Sequence, residues 1–192
     1  MKLFRAMILA ALAVGLLNPP VSDAQDAAKK EPPKPAPGPS GALLEQWNDI
    51  ARKLIAMAED FPEDKYDFKP APTMRSFSER LIHAAYANQF FLSALSGQKM
   101  PGFDDPKRDT FKSKADIVAY VKKSFADGAA AIKAKGDKGM SEIVVDPFAN
   151  EKSTISDFGY GFVEHSGEIY GQLTVYYRTA GMVPPESRPK PQ

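Results

Sequence analysis

Hydrophobic residues recur every three or four positions in four separate stretches of this chain, the spacing that places side chains on one face of an α-helix. The first stretch shows the pattern most clearly. Its apolar positions are Leu43, Trp47, Ile50, Leu54, Met57 and Phe61, with mainly polar or charged residues between them. Pro62 follows directly, and proline cannot continue a helix. The pattern therefore predicts an amphipathic helix that ends before Pro62.

The second and third stretches begin with sequence signals for a helix start. Ser76 and Glu79 have the spacing of a capping box, which predicts a second helix over residues 77–95, ended by Gly97. Ser113 and Asp116 give a similar start to a third helix, which Gly136 should end. The inward positions of the third helix are Ile117, Val121, Phe125, Gly128 and Ile132. After it, residues 142–146 predict one short extended segment.

The fourth stretch begins near Ser153 to Ser156, ends at Gly181 and contains one of the two histidines of the chain. Its predicted inward stripe is Phe158, Phe162, His165, Ile169, Gln172 and Tyr176. We therefore expect His165 to point into a core. Glycines at positions 159, 161, 167 and 171 each disfavour an isolated helix by about 1 kcal/mol relative to alanine. Tertiary packing must hold this helix, and its small residues would permit close helix contacts.

Four amphipathic segments without alternating strands and helices predict an all-α fold, a four-helix bundle. The bundle should span residues 42–183, a length sufficient to bury one core. Residues 184–192 are rich in proline and predict a short disordered tail.

The first 24 residues have the features of a secretory signal peptide. Lys2 and Arg5 precede an apolar run over residues 7–17, and small residues at 22–24 fit a cleavage site. An uncleaved membrane anchor is the alternative. Residues 25–41 follow as a proline-rich linker that offers no apolar face. We expect an exported protein, periplasmic or extracellular, with no membrane attachment after cleavage.

Charge and composition narrow the classes of function. Signal cleavage would remove two positive charges and one negative charge, which lowers the net charge from +1 to 0. A neutral chain without a basic, aromatic-rich stripe gives no reason to expect nucleic acid as a partner. The chain has no cysteine, so disulfides, thiol catalysis and cysteine-bound zinc are unavailable to it, and any metal must bind to histidine and carboxylate.

Both histidines lie in predicted helices. His83 lies in the second helix and His165 in the fourth, so the two imidazoles could meet inside the bundle. They could bind a metal, or they could be buried neutral residues that hydrogen-bond to Gln172, Tyr86 or the backbone. We expect Asp104 and Asp105 to form a solvated pair in the loop after the second helix.

Several segments in this order resemble the DinB/YfiT-like four-helix-bundle superfamily. They are residues 61–77, residues 81–84 around His83, Glu164 and His165 followed by residues 170–173, and residues 181–185. The resemblance covers essentially the whole of residues 43–185 and implies that fold. It also implies an ancestry among metal-dependent hydrolases or transferases, without assigning a reaction.

The resemblance further implies a metal held by three histidines, one from the second helix and two from the fourth, four residues apart. His83 and His165 match two of these positions, whereas the third falls on Ile169, which cannot bind a metal. Glu168 could replace it, because residues three apart share a helix face. The candidate ligands are thus His83, His165 and Glu168, for a divalent ion such as zinc, nickel, iron or manganese.

Two hypotheses follow. The chain is an exported DinB-like bundle with a weakened divalent-metal site at His83 and His165, or it is a metal-free bundle that binds a small molecule or another protein. A homodimer is one candidate assembly. The sequence alone does not decide whether the chain is an enzyme, and it identifies no catalytic residue.

Overall fold

The computed structural model describes residues 35–189, and four long helices dominate that part of the chain. The helices are α1 (Pro39–Asp60), α2 (Phe77–Ser96), α3 (Lys114–Gly139) and α4 (Ile155–Thr179). A two-stranded hairpin, β1 (Ile143–Asp146) and β2 (Glu151–Thr154), connects α3 to α4. The predicted four-helix architecture is confirmed. None of the helices within residues 35–189 is both long enough and apolar enough to cross a membrane.

The first helix begins earlier than its hydrophobic stripe indicated. Pro39 occupies its first turn, where the missing backbone N–H is no loss, and Gly38 precedes it as N-cap. The Ser40 backbone N–H and hydroxyl both donate to Asp137 Oδ1, at 3.0 and 2.5 Å. Residues 39–41 of the predicted linker therefore belong to the bundle. Residues 1–34, which include the predicted signal peptide and most of the linker, lie outside the described part of the chain.

Local caps set the boundaries of the next two helices. At α2 the Glu79 backbone N–H donates to Ser76 Oγ at 3.2 Å, and the Ser76 backbone N–H donates to Glu79 Oε2 at 2.6 Å. Gly97 ends α2 with φ of 67°, a left-handed conformation that glycine adopts without strain. Gly136, the predicted end of α3, instead forms a kink with φ of 59°, and the helix resumes to Gly139.

The hairpin is antiparallel, and Ile143 pairs with Thr154 at its open end. The predicted short extended segment corresponds to β1. The partner strand β2 was not predicted, because Glu151–Thr154 has no alternating apolar residues.

One continuous core lies between the helices. Helix α1 packs on α3 and α4, and α2 packs on the same two helices. Trp47 lies at its centre, where its indole Nε1 donates to the Phe125 carbonyl at 2.9 Å. Its ring packs against Phe91 and Phe125, with centroids 5.3 and 5.5 Å away. Gly128 of α3 lies directly against this ring.

The predicted disordered tail is wrong for residues 184–189. Pro184 is buried, and Pro185–Ser187 form a short 3-10 helix beside α1. The carboxylate of Glu186 binds Arg52 at 2.5 and 3.1 Å. Arg188 forms two hydrogen bonds with the carboxylate of Asp60, at 2.7 and 2.5 Å. The segment is ordered because its charged side chains form ion pairs with α1. Its proline content alone does not reveal these pairs.

Candidate functional site

A cleft of about 680 Å³ lies where α2 and α4 face the hairpin and the loop that follows α2. Helices α2 and α4 contribute most of its lining, and the loop and hairpin contribute Phe103, Asp105, Asp146, Phe148 and Ser153. Both histidines line it as well. His165 therefore lies at the edge of the core, partly exposed to the cleft, and the prediction that it points into the core is wrong.

The two imidazole rings are neighbours, as expected from their helices. Their centroids lie 5.1 Å apart, and the ring planes are nearly perpendicular, at 78°. Helix α2 supplies His83 and helix α4 supplies His165. The bundle thus brings together two groups that are 82 positions apart in the sequence.

Asp105 is the hydrogen-bond partner of His83. The His83 Nδ1 atom lies 2.9 and 3.0 Å from the two carboxylate oxygens of Asp105. Because a carboxylate only accepts hydrogen bonds, neutral His83 carries its proton on Nδ1 and keeps the lone pair on Nε2. Arg75 holds the same carboxylate through Nη2, 3.0 Å from Oδ2.

Sequence reasoning missed this role, since it placed Asp105 in a solvated loop pair. The carboxylate of Asp105 is in fact mostly buried. The loop is fixed further by Tyr86, whose hydroxyl donates to the Gly102 carbonyl at 2.9 Å. Neither Tyr86 nor Gln172 is the partner of a histidine, contrary to the alternative considered from sequence; the buried Gln172 Oε1 has no hydrogen-bond partner within residues 35–189.

The pKa of His165 is lowered below its usual 6.5, first because burial disfavours the charged imidazole and then because His83 lies beside it. His165 is therefore neutral at pH 7. The carboxylate of Glu168 lies 3.8 Å from His165 Nδ1, but its side chain is 64% exposed. Ile169 is buried, with 1% of its surface exposed.

These residues do not form a complete metal site. Within residues 35–189, no group of three or more histidine, aspartate or glutamate side chains is arranged to hold a metal ion. Two imidazoles are present, one of them already oriented by Asp105, and the position expected for the third carries a buried isoleucine. The donor set does not fit the three-ligand centre that the resemblance implied.

The opposite part of the cleft is aromatic. Phe90, two helical turns beyond His83 on α2, packs against Phe103 and Phe148 with ring centroids 5.4 and 5.1 Å away. Phe103 and Phe148 are 5.7 Å apart, and Phe162 lies 6.3 Å from Phe148. Phe103 is 68% exposed and Phe148 is 59% exposed, which is unusual for phenylalanine. The cleft thus joins an aromatic cluster to a histidine pair.

Solved structures of three bacterial proteins are similar to this chain in fold. A DinB-like protein from Bacillus cereus is 22% identical, with 74% of this chain and 93% of that one covered and a TM-score of 0.61. YfiT from Bacillus subtilis, described as a probable metal-dependent hydrolase with an unusual four-helix bundle topology, is 14% identical, with 79% and 94% covered and a TM-score of 0.61. A conserved protein from Enterococcus faecalis is 12% identical, with 75% and 98% covered and a TM-score of 0.53.

No curated protein matches the sequence of this chain. At the low identities above, the solved structures establish the fold alone. The sequence model of the DinB superfamily, however, matches residues 43–173, which is more than half of the chain. This chain therefore belongs to the DinB superfamily.

Proposed function

We propose that this protein is an exported DinB-like bundle that binds a small molecule in the cleft between α2 and α4. In this proposal the two histidines act beside the bound molecule and retain weak affinity for a divalent ion. One observation carries the proposal: the cleft joins exposed aromatic side chains to an Asp105–His83 pair with His165 next to it. Clefts of this volume with apolar walls and a few polar groups are typical ligand sites.

The Asp105–His83 pair has the geometry of an oriented general base. Asp105 holds the proton on Nδ1 and stabilises the imidazolium that would form when Nε2 takes a proton. His165 is neutral at pH 7 because its pKa is lowered, so it can accept a hydrogen bond or donate one from either ring nitrogen. A bound molecule with an acidic hydrogen could therefore lose it to His83. The reaction itself stays unassigned.

Binding of a metal ion by this chain is supported only by the description of one protein of similar fold. YfiT, which shares the fold, is described as a probable metal-dependent hydrolase. Here two of three expected histidines are present, and Glu168 is 64% exposed and forms no group of three candidate ligands with them within residues 35–189. Two imidazoles leave most coordination positions of an ion to water, so we propose weak binding and a site degraded by the isoleucine at position 169.

Export rests on the N-terminal sequence alone, with Lys2 and Arg5 before the apolar run and small residues before Gln25. Mass spectrometry of the protein recovered from the periplasm or medium should give a mature chain that begins near Gln25. An intact Met1 in a membrane fraction would contradict export as a cleaved protein.

A pair of glycine variants on one helix tests the cleft. Gly161 lines it, Gly171 is exposed elsewhere on α4, and a Cβ atom at either position would meet no atom within 4 Å. Gly161→Phe should fill the cleft, and Gly171→Phe is the matched control. Fragments that carry an aromatic ring should bind the parent and Gly171→Phe, where they should shift the nuclear magnetic resonances of cleft residues. The same fragments should not bind Gly161→Phe.

Absence of saturable fragment binding at the cleft would refute the proposal. A second candidate function, binding of another protein, is favoured by Ile143 and Val145, which are exposed on the same face of β1. If fragments shift only the resonances of these two residues and their neighbours, the hairpin and not the cleft would be the binding surface.

A further inference from the structure

We infer that the ligand of this cleft is an organic cation: an apolar body that ends in a positively charged amine. This inference rests on the proposed function and adds the charge of the ligand. It follows from two properties of the lining, its exposed aromatic side chains and the sign of its charged groups.

The aromatic cluster provides the first property. Phe90, Phe103 and Phe148 line one region of the cleft and pack against one another, with centroid distances between 5.1 and 5.7 Å. Phe103 comes from the loop, Phe148 from the hairpin turn and Phe90 from α2, so three different elements converge there. The face of an aromatic ring is electrically negative and attracts an ammonium group, most strongly where water is excluded.

The charged groups of the lining provide the second property. The lining contains the four carboxylates of Asp105, Asp146, Asp157 and Glu164, and no lysine or arginine from the described part of the chain. Arg75 lies outside the lining and compensates only Asp105.

The other three carboxylates of the lining form no ion pair with a lysine, arginine or histidine of residues 35–189. Asp146 accepts from the Phe148 backbone N–H at 2.7 Å, and Asp157 accepts from the Ser153 hydroxyl at 2.7 Å. Both donors are neutral, so they orient these carboxylates without cancelling their charge. Glu164 is exposed to solvent on α4. The lining is therefore negative, since its four carboxylates outnumber its two histidines.

Carboxylates in a cleft with low-dielectric aromatic walls attract positively charged ligands and repel anions. An uncharged apolar cleft would bind ligands of the same shape regardless of their charge. This lining should instead favour a cation over a neutral or negative ligand. A cation–π contact together with one carboxylate that has no ion-pair partner corresponds to about a tenfold preference for the cation over a neutral analogue of the same shape.

Three matched probes test the inference on the full chain at pH 7: 3-phenylpropylamine, 3-phenylpropanol and 3-phenylpropionate. They share one apolar body and carry a positive, zero and negative charge. We expect calorimetric titration to show that the amine binds about tenfold more tightly than the alcohol and that the carboxylate binds most weakly. Added salt should narrow the difference, because salt screens charge.

Two variants and their controls assign the effect to the lining. Glu164→Gln and Phe148→Leu should each weaken binding of the amine several-fold, and Glu164→Gln should leave binding of the alcohol unchanged. The controls remove the same groups outside the cleft: Glu45→Gln on the exposed face of α1, and Phe111→Leu, whose ring packs on Tyr120. Neither control should change binding of the amine.

Equal binding of the three probes, with loss of all three in Gly161→Phe, would overturn the charge preference and leave the proposed cleft function intact. Tighter binding of 3-phenylpropionate would overturn it as well. Failure of all three probes to bind would refute both the charge preference and the cleft function.

Discussion

Replacement of Gly128 by alanine should destabilise the bundle, although alanine is the better helix former. A Cβ atom at position 128 would lie 2.1 Å from Cζ2 and 2.6 Å from Cε2 of Trp47, far inside van der Waals contact. The indole cannot move away easily, because its Nε1–H donates a hydrogen bond to the Phe125 carbonyl and its ring packs against Phe91 and Phe125. Either the ring or α3 must therefore shift.

The two opposing effects have known sizes. Alanine in place of glycine stabilises a helix interior by up to about 1 kcal/mol. Overpacking a well-filled core costs about 1–3 kcal/mol, and loss of the indole hydrogen bond costs about 1 kcal/mol more. We expect a net loss of about 1–3 kcal/mol in the free energy of unfolding, which for a domain of this size lowers the melting temperature by roughly 3–10 °C.

Urea unfolding of parent, Gly128→Ala and Gly171→Ala measures the effect. Gly171 is exposed, and a Cβ atom there meets nothing within 4 Å, so Gly171→Ala should stabilise by up to about 1 kcal/mol. The two variants make the same chemical change with opposite expected signs. If Gly128→Ala proves as stable as the parent or more stable, the close approach of α3 to Trp47 is refuted.

Three further predictions concern the termini and the histidine site. Arg188→Ala should lower the free energy of unfolding at pH 7, because Arg188 makes two hydrogen bonds with the carboxylate of Asp60. Arg188 holds the pKa of Asp60 below its usual 3.8, so this contribution is present above pH 3.8 and is lost as the pH falls through the lower folded pKa; thermal melts of both proteins should show a difference in stability that narrows at acidic pH. Deletion of residues 25–37 should leave the melting temperature unchanged. Deletion of residues 25–41 should lower it, because this removes the first turn of α1 and the hydrogen bond from Ser40 to Asp137. Equal melting temperatures for the two deletions would contradict the helix start at Pro39. Ile169→His should destabilise the metal-free protein by about 2 kcal/mol, because a polar ring replaces a buried isoleucine. Zinc at a hundredfold excess over its dissociation constant should then raise the stability of this variant by about 2.7 kcal/mol. If thermal melts with zinc and with chelator show no such increase, the interpretation of a degraded metal site is contradicted.

The sequence predicted the helices well because their signals are local. The capping pair Ser76 and Glu79 and the left-handed Gly97 lie within one turn of the helix ends that they define. The predicted end of α3 was wrong, since Gly136 forms a kink and the helix continues to Gly139. The glycines of α4 also differ among themselves: of the four, only Gly159 approaches a neighbouring helix, where a Cβ atom would lie 2.7 Å from Leu43.

The site was only half predictable. Helical periodicity placed His83 and His165 on facing helices, which the structure confirms. It could not identify Asp105, because that residue lies 22 positions from His83 in an irregular loop, and periodicity carries no information about loops. Nor could it show that His165 faces a cleft, because the loop and hairpin that form its outer wall have no hydrophobic repeat.

Our central claim is that His83, oriented by Asp105, and His165 share one cleft with an incomplete set of metal ligands. Long-range proton–nitrogen spectra of the two imidazoles during a zinc titration test it most directly. We predict that His83 starts with its proton on Nδ1, that both rings respond together, and that they saturate only at zinc concentrations well above that of the protein. A His83 ring that starts with its proton on Nε2, or stoichiometric tight binding of zinc, would contradict the account.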